Sequence, residues 1–301
     1  MNAPTSHPVL AGISVVIPTL GRPILERSLA AIEQGSHWPA AVIVVDQGRS
    51  EDTANLCGQV TERGLEVVYV PSDQRGRALG VNRGIERAST RFVAVTDDDC
   101  LAEAEWLRAM NAALERDARV IVTGRIEAAD GGNVPVVVTT REEFVQRRPR
   151  LTFDSLSGGN MGAARELLVG LGLLDEDPCV ATAEDAELAY RALRAGIGLR
   201  FEPRAGVAHV DWREGDERAI QYDSYARSHG GFYGKYLRRG DLFIGARMGL
   251  HLMRAARRWA TGLVRGDRDL ARNGRAYVLR LPGGAIAGWR GRPIPGAERL
   301  Q

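Results

Sequence analysis

Residues 91–99 read Arg-Phe-Val-Ala-Val-Thr-Asp-Asp-Asp. Phe92 to Val95 form a short apolar run rich in Val, the pattern of a buried strand. Three carboxylates follow at once: Asp97, Asp98 and Asp99. In an extended segment, positions two apart point the same way. Asp97 and Asp99 are therefore expected to converge on one point, while Asp98 faces away or bonds locally. Two convergent anions at the end of a buried strand repel, and a hard divalent cation relieves that repulsion; carboxylate oxygens suit Mg2+ or Mn2+. Such an ion completes its shell with water and substrate phosphates. An acidic loop capping the next helix is the plainer alternative. Position favours the metal, because ligands in open α/β sheets sit outside the carboxyl ends of the strands.

The same pattern recurs on both sides of this stretch. Ile13–Ile17 reads as a first strand, stopped by Pro18 and followed by Thr19-Leu20-Gly21-Arg22-Pro23. Pro23 suits a first helical turn, and Ile24–Glu33 has helical periodicity. Val42–Val45 is a second strand ending in Asp46, and Ser50 caps a helix running to Glu62. Glu66–Val70 and Arg77–Ala88 read as strand and helix, as do Glu103–Glu115 (helix) and Val120–Ile126 (strand). Alternation through residues 13–126 is the signature of βαβ units and a mostly parallel sheet. Thr19, Asp46 and Asp97 close successive strands, so one edge of the sheet is a polar crevice of the kind that seats a nucleotide.

Beyond residue 130 the pattern loosens. Gly131-Gly132 reads as a turn, Val134–Thr140 as a strand and Glu142–Arg148 as a short basic helix. Gly158-Gly159-Asn160 precedes a helix expected over Ala163–Leu171. Two glycines let backbone approach a ligand closely, and a helix N-terminus offers N–H donors; an ordinary turn and cap is the alternative. Glu184-Asp185 opens a further helix. Acids there complement the helix dipole, or place a catalytic carboxylate in a crevice. Val207-Ala208-His209-Val210 is strand-like, and a lone His is either structural or a metal ligand.

A chain of 301 residues, 26% charged and 44% hydrophobic, fits a globular α/β protein. Cys57, Cys100 and Cys179 lack CxxC spacing, which argues against a disulfide framework or zinc site and for a reducing, cytoplasmic setting. No secretory signal or apolar run of about 18 residues is apparent. The net charge of +2 hides an asymmetry: residues 235–301 hold 15 Lys+Arg against 4 Asp+Glu. Within this tail, Arg247, His251, Arg254, Arg258 and Arg265 fall on one helical face of residues 242–265, with Met248, Leu252, Ala256, Trp259 and Leu263 opposite. A basic amphipathic helix with a Trp reads as peripheral on an anionic membrane, at its inner face; packing on the domain or in a homodimer is the alternative. Nucleic acid is not expected, because stacking aromatics are not interleaved with the bases.

Taken in order, Ile13–Thr19, Val42–Asp46, Gly76–Gly84, Thr96–Asp99, Gly158–Gly162, Glu184-Asp185 and His209 resemble the motifs of family 2 glycosyltransferases of the GT-A fold. The resemblance implies a Rossmann-like, mostly parallel sheet with helices on both faces, plus a C-terminal basic helical extension. It implies a leader at 1–11, a nucleotide-sugar-binding half at 12–130, an acceptor-binding and catalytic half at 131–232 and the tail at 233–301. The donor, a nucleotide-diphosphate-sugar, would meet Pro18, Thr19, Asp46, Arg77, Asn82, Asp97 and Asp98. Asp99 and His209 would hold Mg2+ or Mn2+. Gly158, Gly159 and Asn160 would border the sugar and a glycan or glycolipid acceptor, with Asp185 as general base and Glu184 beside it. One departure is Asp46-Gln47-Gly48, where the family often has two acids or Asp-Asn, so base specificity stays open. One carboxylate base without a second nucleophile implies inversion. A sugar nucleotidyltransferase would carry a Gly-rich basic loop after the first strand, and Thr19-Leu20-Gly21-Arg22 is a poor version. A nicotinamide enzyme needs G-x-G-x-x-G, which does not follow Ile17. An inactive glycan-binding protein of the same fold is the non-enzymatic alternative.

Overall fold

Strand alternation decides which helix covers which face. In β2 (Ile13–Thr19), Ile13, Val15 and Ile17 join the cluster built by α1 (Leu25–Glu33), α2 (Glu51–Glu62) and α4 (Trp106–Arg116). Val16 points the other way, against Gly84 of α3 (Arg77–Arg87). Helices thus cover both faces, and near-continuous apolar strands result, as a parallel sheet requires. The computed structural model describes residues 7–129, 140–210 and 215–291. The turn at Gly131-Gly132, nearly all of the strand expected at 134–140 and the first part of the 1–11 leader lie outside the described residues.

Two units emerge, and their boundaries differ from those expected. The first comprises residues 1–148, 155–174 and 191–211; the second, residues 149–154, 175–190 and 212–301. In the first, β1 (Val9–Leu10) pairs with β3 (Trp38–Pro39). A larger sheet joins β4 (Val42–Asp46), β5 (Val67–Pro71), β6 (Phe92–Thr96), β7 (Cys100–Ala102), β8 (Val120–Ala128), β10 (Asn160–Ala164) and β11 (Gly198–His209) with β2, in the order β5-β4-β2-β6-β10-β8-β11-β7. β9 (Phe144–Gln146) pairs with β11 off this path. β5, β4, β2 and β6 run parallel, whereas β10 lies antiparallel between β6 and β8. A strand from the expected acceptor half therefore sits inside the nucleotide-half sheet. Two expectations fail here: Glu142–Arg148 contains β9 instead of a helix, and residues 160–164 are strand, with α5 (Arg165–Leu171) starting only afterwards.

The second unit is helical: α7 (Gly215–Arg238), α8 (Leu242–Arg265) and α9 (Arg268–Arg290), with the first turns of α6 (Glu184–Arg194) and a 3-10 turn at Pro178–Val180. Asp241 and Asp267 cap α8 and α9 through the amides of Ile244 and Leu270. Its core is aromatic: Tyr190, Phe232, Tyr233, Tyr236 and Tyr277 pack with Leu281 and Ile244. The expected faces of α8 are corrected. Arg247 and His251, read as exposed, are 2% and 5% exposed. Arg247 pairs with Asp154 at 2.6 Å and His251 Nδ1 with the Tyr233 hydroxyl at 3.0 Å. Met248 and Leu252, read as the opposite apolar face, pack in part against the same core. Periodicity alone cannot tell a buried ion pair from a solvated one.

Candidate active site

The three aspartates do not continue the strand. The Cys100 amide donates to the Asp97 carbonyl at 3.1 Å, closing a tight turn between β6 and β7. The extended-chain rule therefore fails, and the expected clasp of Asp97 with Asp99 is replaced by three separate environments.

Asp98 turns inward and is fully buried. It accepts from Thr19 Oγ1 at 2.7 Å and from Arg22 Nε at 3.1 Å. Burial pushes its carboxyl above the usual range, against the pull of Arg22 and Thr19. It anchors the β2 and β6 ends together and offers a nucleotide nothing, contrary to expectation. Asp97 stays partly open and accepts from Arg77 Nε at 2.8 Å. Asp99 lies with Oδ1 3.6 Å from His209 Nε2 and Oδ2 3.9 Å from Arg22.

Register explains how His209 arrives there. β11 runs antiparallel to β7 with His209 opposite Cys100, and the Val210 amide donates to the Asp99 carbonyl at 2.9 Å. The ligand atoms of Asp99, Cys100 and His209 lie within 4.8 Å of one another. Burial raises the Cys100 thiol well above its ordinary value, helped by Asp97 and Asp99, so it stays protonated and is a poor ligand. Among the described residues the buried His209 Nδ1 has no hydrogen-bond partner, and Nε2 stands beyond hydrogen-bond length of Asp99. A carboxylate and an under-satisfied imidazole at this spacing fit a divalent cation, and the imidazole favours Mn2+ over Mg2+.

Gly158 and Gly159 do approach this site. A Cβ on Gly158 would meet the Arg77 guanidinium at 2.7 Å, and one on Gly159 would meet Asp97 Oδ2 at 2.8 Å. No helix N-terminus lies there, because β10 follows. Three further expectations meet buried side chains already spent on protein. Asn160 accepts from Trp106 Nε1 at 2.9 Å and donates to the carbonyls of Arg125 and Ala205. Asn82 bonds both backbone groups of Leu174. Asp46 accepts from the amides of Gly48 and Ser50, each at 2.8 Å, and from Tyr69. Pro18 and Thr19 are likewise buried. Sequence reasoning missed Arg22, whose only signal was its place in the loop directly after a polar strand end.

In the second unit, α6 begins at Glu184, which is 3% exposed. Asp185 is half-buried, and its Oδ1 accepts from the Ala186 amide at 2.7 Å. Its charge pulls the nearby His229 upward, but burial outweighs it and the imidazole is lowered.

Comparison with known proteins agrees with this architecture. The family described as Glycosyl transferase family 2 matches residues 14–166, half of the chain. A chondroitin synthase of Pasteurella multocida is 25% identical over 63% of this chain and 24% of its own length. A pre-mycofactocin glycosyltransferase of Mycobacterium tuberculosis is 28% identical over 77% of this chain and 48% of its own. The chain thus spans half or less of these curated relatives. A Pyrobaculum calidifontis mannosyltransferase, solved with GDP-Man and Mn2+, superposes with a TM-score of 0.66 at 20% identity, covering 95% of this chain and 88% of that one. The nucleotidyltransferase reading falls away: the chain belongs to family 2 of the glycosyltransferases, with the GT-A fold.

Proposed function

We propose that the chain transfers a sugar, with inversion, from a nucleotide-diphosphate-sugar to a hydroxyl of a glycan or glycolipid, dependent on a divalent cation and acting in the cytoplasm. The observation that carries this reading is the Asp99–His209 pair, two potential ligands over a hundred residues apart in sequence and held 3.6 Å apart by the register of β11 on β7. The similar mannosyltransferase was solved with a nucleotide-sugar and Mn2+, which supports the same donor class and the same metal here.

A cation held by Asp99 and His209 would supply Lewis-acid charge to a diphosphate leaving group. Arg77, oriented by Asp97, offers positive charge beside that position. The bare Gly158-Gly159 backbone lies against Arg77 and Asp97, with no room for a Cβ, and the sugar is assigned beside it. Asp185 is assigned as the base that removes the acceptor proton as the hydroxyl attacks, with Glu184 beside it. Its half-exposed carboxylate suits that role; the nearly buried Glu184 suits support of the helix start. Buried thiols at Cys57, Cys100 and Cys179 support a reducing compartment.

Thermal unfolding with a panel of nucleotide-sugars, with and without Mn2+, tests the reading. Stabilisation by one donor class only when Mn2+ is present is expected; no shift with any donor overturns it. Asp185→Asn is expected to abolish transfer while donor-dependent stabilisation persists. Undiminished turnover in that variant removes Asp185 as base.

A further inference from the structure

The outward side of α8 is apolar, and it shares only its edge at Leu263 with the apolar face the sequence pattern marks. Ile244, Arg247, His251, Ala255 and Gly262 face inward. Opposite them, Leu242 is 85% exposed, Met253 64%, Leu263 67% and Val264 87%. At about 100° per residue, these share one arc with Ala246, Gly249 and Ala260, interrupted by Arg257 alone. Single exposed apolar residues need no explanation; a row repeated along a whole helix does.

Charge selects the occupant. Arg254, Arg257 and Arg265 of α8 are exposed, and α8 contains no Asp or Glu. Residues 235–301 carry an excess of eleven positive charges. A second copy of the chain, docked through the same patch, would set these cations against themselves and desolvate them unpaired. An anionic bilayer accepts them at headgroup level while the apolar row sinks just below. Among the described residues no helix is long and apolar enough to cross a membrane, so the contact is in-plane. We infer that the outer face of α8 docks this enzyme flat on an anionic lipid surface. The inference does not depend on the donor or metal assignment.

Co-sedimentation of the full chain with vesicles tests it. Binding to phosphatidylcholine containing about a third phosphatidylglycerol is expected, with weak binding to phosphatidylcholine alone and partial release by about 0.5 M salt. Met253→Glu with Val264→Glu changes only outward side chains; it should weaken vesicle binding at least about tenfold, with unchanged melting and unchanged stabilisation by nucleotide-sugar. Absence of binding to the anionic vesicles overturns the proposal, as does a variant that binds like the parent. A concentration-dependent dimer that the variant abolishes, without vesicle binding, names a second copy as the occupant and overturns it equally.

Discussion

Asp98 and Asp99 are neighbours in different surroundings, and single substitutions separate the fold role of the first from the metal role proposed for the second. Asp99 faces Nε2 of an imidazole whose buried Nδ1 has no hydrogen-bond partner among the described residues. Asp99→Asn is expected to remove stabilisation by Mn2+ and to lower transfer by about 100-fold or more, because the ligand charge is lost. His209→Gln should weaken the metal by about 10- to 100-fold while leaving some turnover, in line with losing one supporting group. Melting curves with and without Mn2+ report both. Asp98→Ala should behave in reverse. It leaves Thr19 and Arg22 without their buried acceptor, a loss of roughly 2–3 kcal/mol once the partial exposure of Arg22 is allowed for, yet Mn2+ affinity below the melting point stays near that of the parent. Unfolding in urea measures the first, and isothermal titration the second. A sequence of three consecutive acids marks the strand end correctly. It does not say which acid is spent on folding, because that depends on a turn closed by the Asp97 carbonyl and on an arginine 76 positions away.

At the scale of elements, most of the alternation from β2 through α4 was readable, since the longer strands are near-continuously apolar and each helix has an amphipathic period; the short β3 and β7 were not read. What escaped was anything fixed by long-range pairing. β10 gave no strand signal in Asn-Met-Gly-Ala-Ala, and it is strand because it fills the slot between β6 and β8. The packing of α7 on α9 was equally silent. A Cβ on Gly234 would lie 2.1 Å from the Ala285 carbonyl, and one on Gly284 would lie 2.1 Å from the Arg227 carbonyl. The helices touch backbone to backbone, so neither can yield. Gly234→Val is expected to force them apart at a cost of about 3 kcal/mol or more, seen as lost helical signal and a lowered urea midpoint. Gly249, in the interior of α8, gives the opposite sign, because a Cβ placed there would meet nothing within 4 Å. Gly249→Ala should stabilise by up to about 1 kcal/mol through helix propensity. Two glycines in one helical unit thus differ in direction, which composition alone cannot reveal.

At the scale of the whole molecule, the proposed metal ligands and the buried histidines belong to different units. Asp99 and His209 lie in the first, whereas His229 and His251 lie in the second. Burial pushes His251 down to about 2, with His229 and the Arg258, Arg254 and Arg247 charges acting the same way, and burial lowers His229. The unfolded chain binds protons near the ordinary His value of about 6.5 that the native state refuses. Stability is therefore full above that pH and falls as pH drops below it, by about 1.4 kcal/mol per pH unit for each fully excluded proton. From about pH 6.5 to about pH 5 this amounts to roughly 2 kcal/mol from His251. Hydrogen exchange read residue by residue should separate the two effects. Lowering the pH from about 7.5 to about 5 is expected to speed exchange in α7, α8 and α9. His251→Gln, which can still accept from Tyr233 but cannot titrate in this range, should reduce that acceleration. Mn2+ at about pH 7.5 should instead slow exchange at β7 and the end of β11, where the backbone carries Cys100 and His209. Metal protection confined to α7–α9 would count against the Asp99–His209 site, and a pH response identical in parent and His251→Gln would count against His251 as the excluded proton.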